Sequence, residues 1–333
     1  MVDEIRPIPS IPPELIEAAR RGTLIPFVGA GASRLAGCPD WNSFADAALS
    51  FLVDQGKFTH SQLDQIRHLN ARVKLAIAVG LQEEHETSIN FRKLIHPDGN
   101  LNNKKGLRLY GSLSAMGKTF VTTNYDMWLD KEINVPELLP GKTVDESQIR
   151  FGRKRESKYQ VRDFTAANLN QDNTVIHLHG ALADPDSMVL TTQDYVRRYA
   201  NDRLYREEKE ENRVLTFLED LFDYKTVLFV GYGLEELEIL EYVILKARHR
   251  DGEDQKEAKH YLLQGFFSHE YELMRSLKRY YLKECGIQLI PFLRDKKDWD
   301  QLIDVLEDFA GKIPAKNLEQ LQEFLEMERL LNG

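Results

Sequence analysis

The sequence predicts an α/β protein: a doubly wound parallel sheet carrying an inserted helical subdomain. Three observations predict it. Short apolar runs at Leu24–Val28, 118–122, 173–178, Thr226–Val230, 260–264 and 287–292 read as buried strands, each followed by helical periodicity. The stretch from 42 to about 117 is helical throughout and too long for a simple crossover between strands. Several of the strands end in glycine or polar motifs, and in an open sheet of this class strand ends collect along one rim.

Taken in order, a start rich in proline (Pro7, Pro9, Pro12, Pro13) gives way to a short helix at 14–21, then to the first strand. Phe44, Ala47, Ala48 and Phe51 share one helical stripe, and Val73, Ala76, Ile77 and Leu81 another, which places a helical insertion at about 45–117. Residues 132–171 are polar and poorly periodic and read as a small insertion. The charged run 203–213 reads as the exposed face of a helix reaching 222, with Leu215, Phe217, Leu218 and Leu221 turned inward. Leu318, Leu321 and Leu325 recur at helical spacing in 315–331, an amphipathic helix expected to dock on its own domain rather than on a partner. The chain thus divides into a main domain over 1–313 and a C-terminal helix over 314–333.

Composition excludes several classes. At 333 residues and a net charge of −9, with no long basic stripe, the chain is not built to track nucleic-acid phosphates. The basic hexamer Arg150-Phe151-Gly152-Arg153-Lys154-Arg155 reads as a solvated loop. No apolar run is long enough to span a bilayer and the N-terminus lacks the features of a signal peptide, so a cytoplasmic location is expected. Two cysteines, Cys38 and Cys285, exclude a disulfide framework and a four-cysteine zinc site.

Three motifs carry the chemistry: Gly29-Ala30-Gly31-Ala32-Ser33, Thr122-Thr123-Asn124-Tyr125-Asp126 and His177-Leu178-His179-Gly180. A glycine turn after a buried strand lets backbone N–H groups close on a phosphate at a helix start. Arg34 stands where a dehydrogenase fingerprint needs its third glycine, which argues against hydride transfer. The Asn124 amide offers a donor and an acceptor without charge, enough to hold a hydroxyl and a water together. His177 and His179, two apart on a strand, are expected to point the same way. A metal held by this pair alone is set aside for want of further ligands. An imidazole exchanges a proton at cellular pH and so suits a base.

With Gly37-Cys38-Pro39-Asp40-Trp41, Leu190-Thr191-Thr192-Gln193-Asp194-Tyr195 and Val230-Gly231-Tyr232-Gly233-Leu234, these motifs resemble the sirtuin family. They are most similar to its bacterial sirtuin-like branch of NAD-hydrolysing domains in anti-phage defence. The resemblance covers most of 24–312 and implies a Rossmann-like sheet with NAD as substrate. It implies that Gly29, Ala30, Gly31 and Ser33 meet the pyrophosphate, with Ser33 as a hydroxyl donor, and that Asp40 and Trp41 belong to a loop over the cofactor. Thr123 falls beside the cofactor, and Gly231, Tyr232 and Gly233 meet the adenosine end. Asn124 would orient water and the nicotinamide ribose, Asp126 would accept from the carboxamide or the ribose, and His179 would be the catalytic base. His177 takes a structural or supporting role. The family often has serine at the position of Gly233, and aspartate where this chain has Glu235, Glu236 and Glu238.

Protein-deacylating sirtuins usually carry a four-cysteine zinc module, and the corresponding interval, 129–172, contains no cysteine. The expected activity is therefore NAD glycohydrolysis without a metal, by a regulated effector that depletes NAD in abortive infection. A homo-oligomer is expected, with a defence partner of the sensor, ATPase or Argonaute type, and no direct contact with nucleic acid or membrane. The alternatives are a catalytically silent domain that binds NAD or ADP-ribose and, behind it, zinc-free deacylation or ADP-ribosyl transfer.

Overall fold

Continuous apolar runs fold as strands when both faces of a sheet are covered, because every side chain then finds a dry neighbour. A computed structural model of the chain describes residues 5–96, 101–135, 145–199, 212–233 and 260–313. The strands are β1 (Leu24–Val28), β2 (Thr119–Thr122), β3 (Lys131–Asn134), β4 (Arg150–Lys154), β5 (Glu156–Lys158), β6 (Thr174–His177), β7 (Thr226–Val230), β8 (His260–Phe266) and β9 (Ile287–Leu293). Seven of them form one sheet in the order β5-β6-β2-β1-β7-β8-β9, parallel at every pair. Strands β3 and β4 make a separate antiparallel ribbon. The architecture is the doubly wound, Rossmann-like sheet that the sequence predicts.

The helices are α1 (Pro13–Arg21), α2 (Ala30–Leu35), α3 (Trp41–Asp54), α4 (His60–Ile66), α5 (Ala71–Glu84), α6 (Phe91–Ile95), α7 (Lys104–Met116), α8 (Ala166–Leu169), α9 (Thr192–Tyr199), α10 (Arg213–Tyr224), α11 (Tyr271–Tyr280) and α12 (Gln301–Lys312). Successive strand residues point to opposite faces. Val28, Phe120, Val175, Leu228 and Leu263 accordingly pack with Ala32, Phe44, Leu113 and Leu306 on one side. Phe27, Val121, Ile176, Phe229 and Leu262 pack with Leu169, Phe217, Leu221 and Met274 on the other. Full burial of one such phenylalanine contributes about 2–3 kcal/mol.

The interval 132–171 departs from the reading of a self-contained insertion. It holds the β3–β4 ribbon, but β5 pairs with β6 and extends the main sheet at its edge. The polar residues of β4 and β5 hid both strands, since edge and ribbon strands have no need of apolar runs. The hexamer 150–155 is not a solvated loop either. Arg155 is buried, donates to the carbonyls of Leu129 and Lys131 and to Ser114 Oγ, and lies over the Phe120 ring at 4.4 Å. The amphipathic segment 315–331, the acidic residues Glu235, Glu236 and Glu238, and most of the 203–213 run lie outside the described residues.

Candidate functional site

The chain leaves β1 towards β2 and β6 and later returns to β7 on the other side of β1, so strand order reverses between β1 and β7. Ligands in open α/β sheets bind in the crevice at that switch point, beyond the C-terminal strand ends. The glycine turn, the Asn124 segment, His179 and Gly231-Tyr232-Gly233 all follow the C-terminal ends of β1, β2, β6 and β7.

The glycines act differently from the phosphate cradle expected of them. The Gly29 N–H donates to Val230 O at 2.9 Å and the Gly31 N–H to Gly231 O at 2.8 Å. These two amides hold the β1 and β7 turns together and are not open to a ligand. A Cβ at Gly31 would stand 2.8 Å from Gly231 O, and one at Gly29 would stand 2.7 Å from the Tyr232 ring, so absent side chains permit the contact. Tyr232 is buried, edge-on to Phe27 and Phe229, and its hydroxyl lies 2.9 Å from Thr123 Oγ1. Tyr232 and Thr123 thus tie strand ends together, while Gly233 borders open space.

Asn124 is oriented by a network whose proton directions can be read off its members. The Gly29 carbonyl can only accept, so the group facing it at 2.8 Å is the amide nitrogen Nδ2. That nitrogen also donates to Ser33 Oγ at 2.7 Å, while Ser33 gives its own proton to Asp126 Oδ2 at 2.5 Å. Tyr110 O–H completes the serine's shell at 3.4 Å. Burial, then the nearby Asp126 carboxylate, pushes the Tyr110 hydroxyl well above its ordinary pKa, which keeps it a donor. The other Asp126 oxygen accepts from the Trp128 amide at 3.0 Å. Nδ2 is thus held twice, and the Tyr110 hydroxyl also lies within hydrogen-bonding reach of the Asn124 amide. Ser33 and Asp126, expected to touch the cofactor, are here bonded to each other and, through Ser33, to Asn124.

The two histidines part company. Strand β6 ends at His177 and the chain turns through Leu178 and His179 to Gly180, at φ +85°, so the period of two fails and the rings meet different partners. His177 is fully buried, with Nε2 3.1 Å from Asp130 Oδ1 and Nδ1 2.9 Å from Asn124 O. Both partners are acceptors, so both ring nitrogens carry protons and the ring is an imidazolium. Burial alone would lower its pKa, but the hydrogen bond and charge of Asp130 outweigh that and raise it. His177→Ala is expected to lower stability by about 2–3 kcal/mol, since it strands Asp130 without its partner. A histidine with a raised pKa contributes its stability below about pH 6.5 and loses it as pH rises through the folded value. Thermal melts of wild type and variant should therefore differ most near pH 5–6 and converge in alkaline buffer.

His179 is half-buried, its Nε2 2.8 Å from the Tyr199 hydroxyl and its ring edge-on to Tyr195 and Tyr199. Burial, then the charges of Arg198 and Arg72, pushes its pKa down to about 3, so it is neutral at cellular pH. Sequence reasoning missed these cations and tyrosines as site residues. Tyr195 and Tyr199 stand four apart on α9, a spacing that shares one helix face and was visible in the sequence. Arg72, from α5, lies over the Tyr195 ring at 4.5 Å and could not be placed from sequence.

Asp40 caps α3, accepting from Ser43 N at 2.8 Å, a bond that lowers its pKa. Trp41 opens that helix, edge-on to Tyr125 with centroids 5.7 Å apart. The residues expected in a cofactor loop are thus a helix start packed beside the Asn124 segment.

The SIR2-like domain family matches residues 118–290, just over half of the chain and including Asn124, His179 and the Gly231 turn. The chain belongs to the SIR2-like domain family. No curated protein matches it closely enough to count as a relative. Membership ties this SIR2-like chain to NAD-related chemistry, and two features of its site suit a dinucleotide. Arg198 Nη1 is a buried donor with no hydrogen-bond partner among the described residues, beside His179, where an anionic or hydroxylated ligand would satisfy it. The Asn124 amide, fixed through Nδ2 at the end of β2, is the other. Among the described residues no group of three or more His, Cys, Asp and Glu is placed to hold a metal ion, and no helix is long and apolar enough to cross a membrane.

Proposed function

We propose that this SIR2-like domain hydrolyses NAD to nicotinamide and ADP-ribose, with Asn124 and His179 as the residues that meet the substrate. The observation that carries the reading is the anchoring of Asn124 at the switch point, whose Nδ2 is tied to Gly29 and Ser33 so that Oδ1 is the amide atom left to accept. Breaking the bond between nicotinamide and ribose releases a neutral ring and leaves positive charge on the sugar, so the leaving group needs no strong acid. Asn124 Oδ1 accepts from a ribose hydroxyl or the attacking water. Neutral His179 takes the water's proton as the new bond to ribose forms, then passes it to solvent. The resemblance to bacterial defence effectors extends this to regulated NAD depletion, and the bond from Tyr199 to His179 supports a restrained resting site.

That same bond favours a second reading, a domain that binds NAD or ADP-ribose without cleaving it. Incubating the purified chain with NAD and separating products by chromatography decides between them: free nicotinamide in step with ADP-ribose supports hydrolysis, and tight binding with no nicotinamide supports the silent domain. Loss of cellular NAD on expression in bacteria tests the effector role.

The pH profile offers a further check. Because kcat/KM reports the free enzyme, its acid limb should fall well below pH 6.5, following the depressed His179. Removing a neighbouring cation favours the charged imidazole. Arg198→Ala is therefore expected to move that limb upward by about one pH unit. A limb that stays in place would detach His179 from the rate.

A further inference from the structure

The basic hexamer finds a use at a second place. In the β3–β4 ribbon Lys131 opposes Lys154 while Ile133 opposes Phe151, so β4 carries one extra residue between the pairs. Such a bulge re-aims side chains. Gly152 sits within it, where a Cβ would stand 2.6 Å from both Asn134 and Glu132 side-chain atoms. The consequence is that Phe151 and Lys154, three apart, line the same cavity of about 570 Å³.

Lys131 joins them, its Nζ 5.3 Å above the Phe151 ring, and Arg92 of α6 contributes from the facing wall. Among the described residues Arg92, Lys131 and Lys154 form no ion pair. The carboxylate in the lining is Asp130, whose Oδ1 already accepts from His177 and Ser157. Three cations from separate elements gathered around a single carboxylate, on a chain of net charge −9, leave a local excess of positive charge that an anion would neutralise. Phe151 is 46% exposed, an aromatic wall open to solvent, and Met127 and Leu182 add apolar surface. The volume falls within the range of small-molecule sites, and a concave pocket suits a compact ligand better than a nucleic-acid backbone.

We infer that this cavity binds a phosphorylated ring compound of nucleotide size, at a site separate from the crevice around Asn124. Lys131, Lys154 and Arg92 hold the phosphate, and Phe151 packs against the ring. The inference does not depend on NAD hydrolysis.

The test uses the full chain and AMP. Calorimetry should show AMP binding at least tenfold tighter than adenosine, with inorganic phosphate weaker than AMP because it forgoes the ring contact. Irradiation with 8-azido-AMP followed by peptide mapping should place label at 92, 101–102 or 150–154. The double variant Lys131→Glu, Lys154→Glu changes exposed residues and should keep its melting temperature while losing that label and weakening AMP at least tenfold. Phe151→Ala should weaken AMP but leave phosphate unchanged, while Asn124→Ala should leave the label in place. Label confined to 29–41 or 231–233, AMP binding indifferent to the charge reversals, or loss of label in Asn124→Ala would each overturn the proposal. So would tighter capture of a fluorescent oligonucleotide than of AMP, lost in the same double variant.

Discussion

Asn124→Ala is expected to reduce NAD hydrolysis by about 100-fold or more, within the range seen when a positioned polar group is lost from an active site. Its alanine keeps the backbone bond from Asn124 N to Thr122 Oγ1 but deletes the side-chain amide of the network. Stability is expected to fall by about 1–2 kcal/mol, because the Gly29 carbonyl and Ser33 each lose one hydrogen bond. Activity and melting should therefore separate, the first collapsing and the second moving a few degrees. His179→Ala is expected to match the loss of rate. Ser33→Ala sharpens the argument, since it frees Asn124 from one of two anchors without touching Oδ1. Its rate should fall less than that of Asn124→Ala, chiefly in kcat, as expected of a positioning residue. Nicotinamide release by Asn124→Ala at the wild-type rate would remove the residue from the chemistry.

The difference between Ser33 as expected and as found shows where sequence reading stops. A serine after a glycine turn suggests a phosphate donor, yet its actual partner, Asp126, lies 93 residues away and only the fold brings them together. The main strands were legible because burial on both faces leaves unbroken apolar runs, such as the fully buried β1. Strands β4 and β5 were not legible, because a ribbon and a sheet edge tolerate Arg, Lys and Glu. The motif order also revealed that Asn124 and His179 approach one rim. What surrounds His179 was hidden, because Arg72 comes from the helical insertion, which carries no motif, and Arg198 lies on α9 three residues past the Leu190–Tyr195 motif. The divergence of His177 and His179 follows from one residue: β6 stops at His177, and the turn at Gly180 rotates the next side chains away from strand alternation.

The largest effect on the fold is expected from Gly231→Ala. Gly231 has φ +70°, a region that alanine enters at a cost of about 1 kcal/mol. Its added Cβ would lie 2.4 Å from the Ala32 amide nitrogen and 3.0 Å from Ala32 Cβ, contacts with backbone that no rotamer change relieves. Overpacking of this kind adds roughly 1–3 kcal/mol, giving a total of about 2–4 kcal/mol and a melting temperature lower by roughly 3–6 °C. The strain falls on the bond from Gly31 N to Gly231 O, so the β7 turn is expected to move away from α2 and take Tyr232 with it. NAD affinity should consequently drop even below the melting transition. Gly233→Ala is the matched control: an added Cβ there meets no atom of the described residues within 4 Å, and its stability should change by less than about 0.5 kcal/mol. Equal melting of the two variants would show that the contact between the β1 and β7 turns does not hold the switch point together.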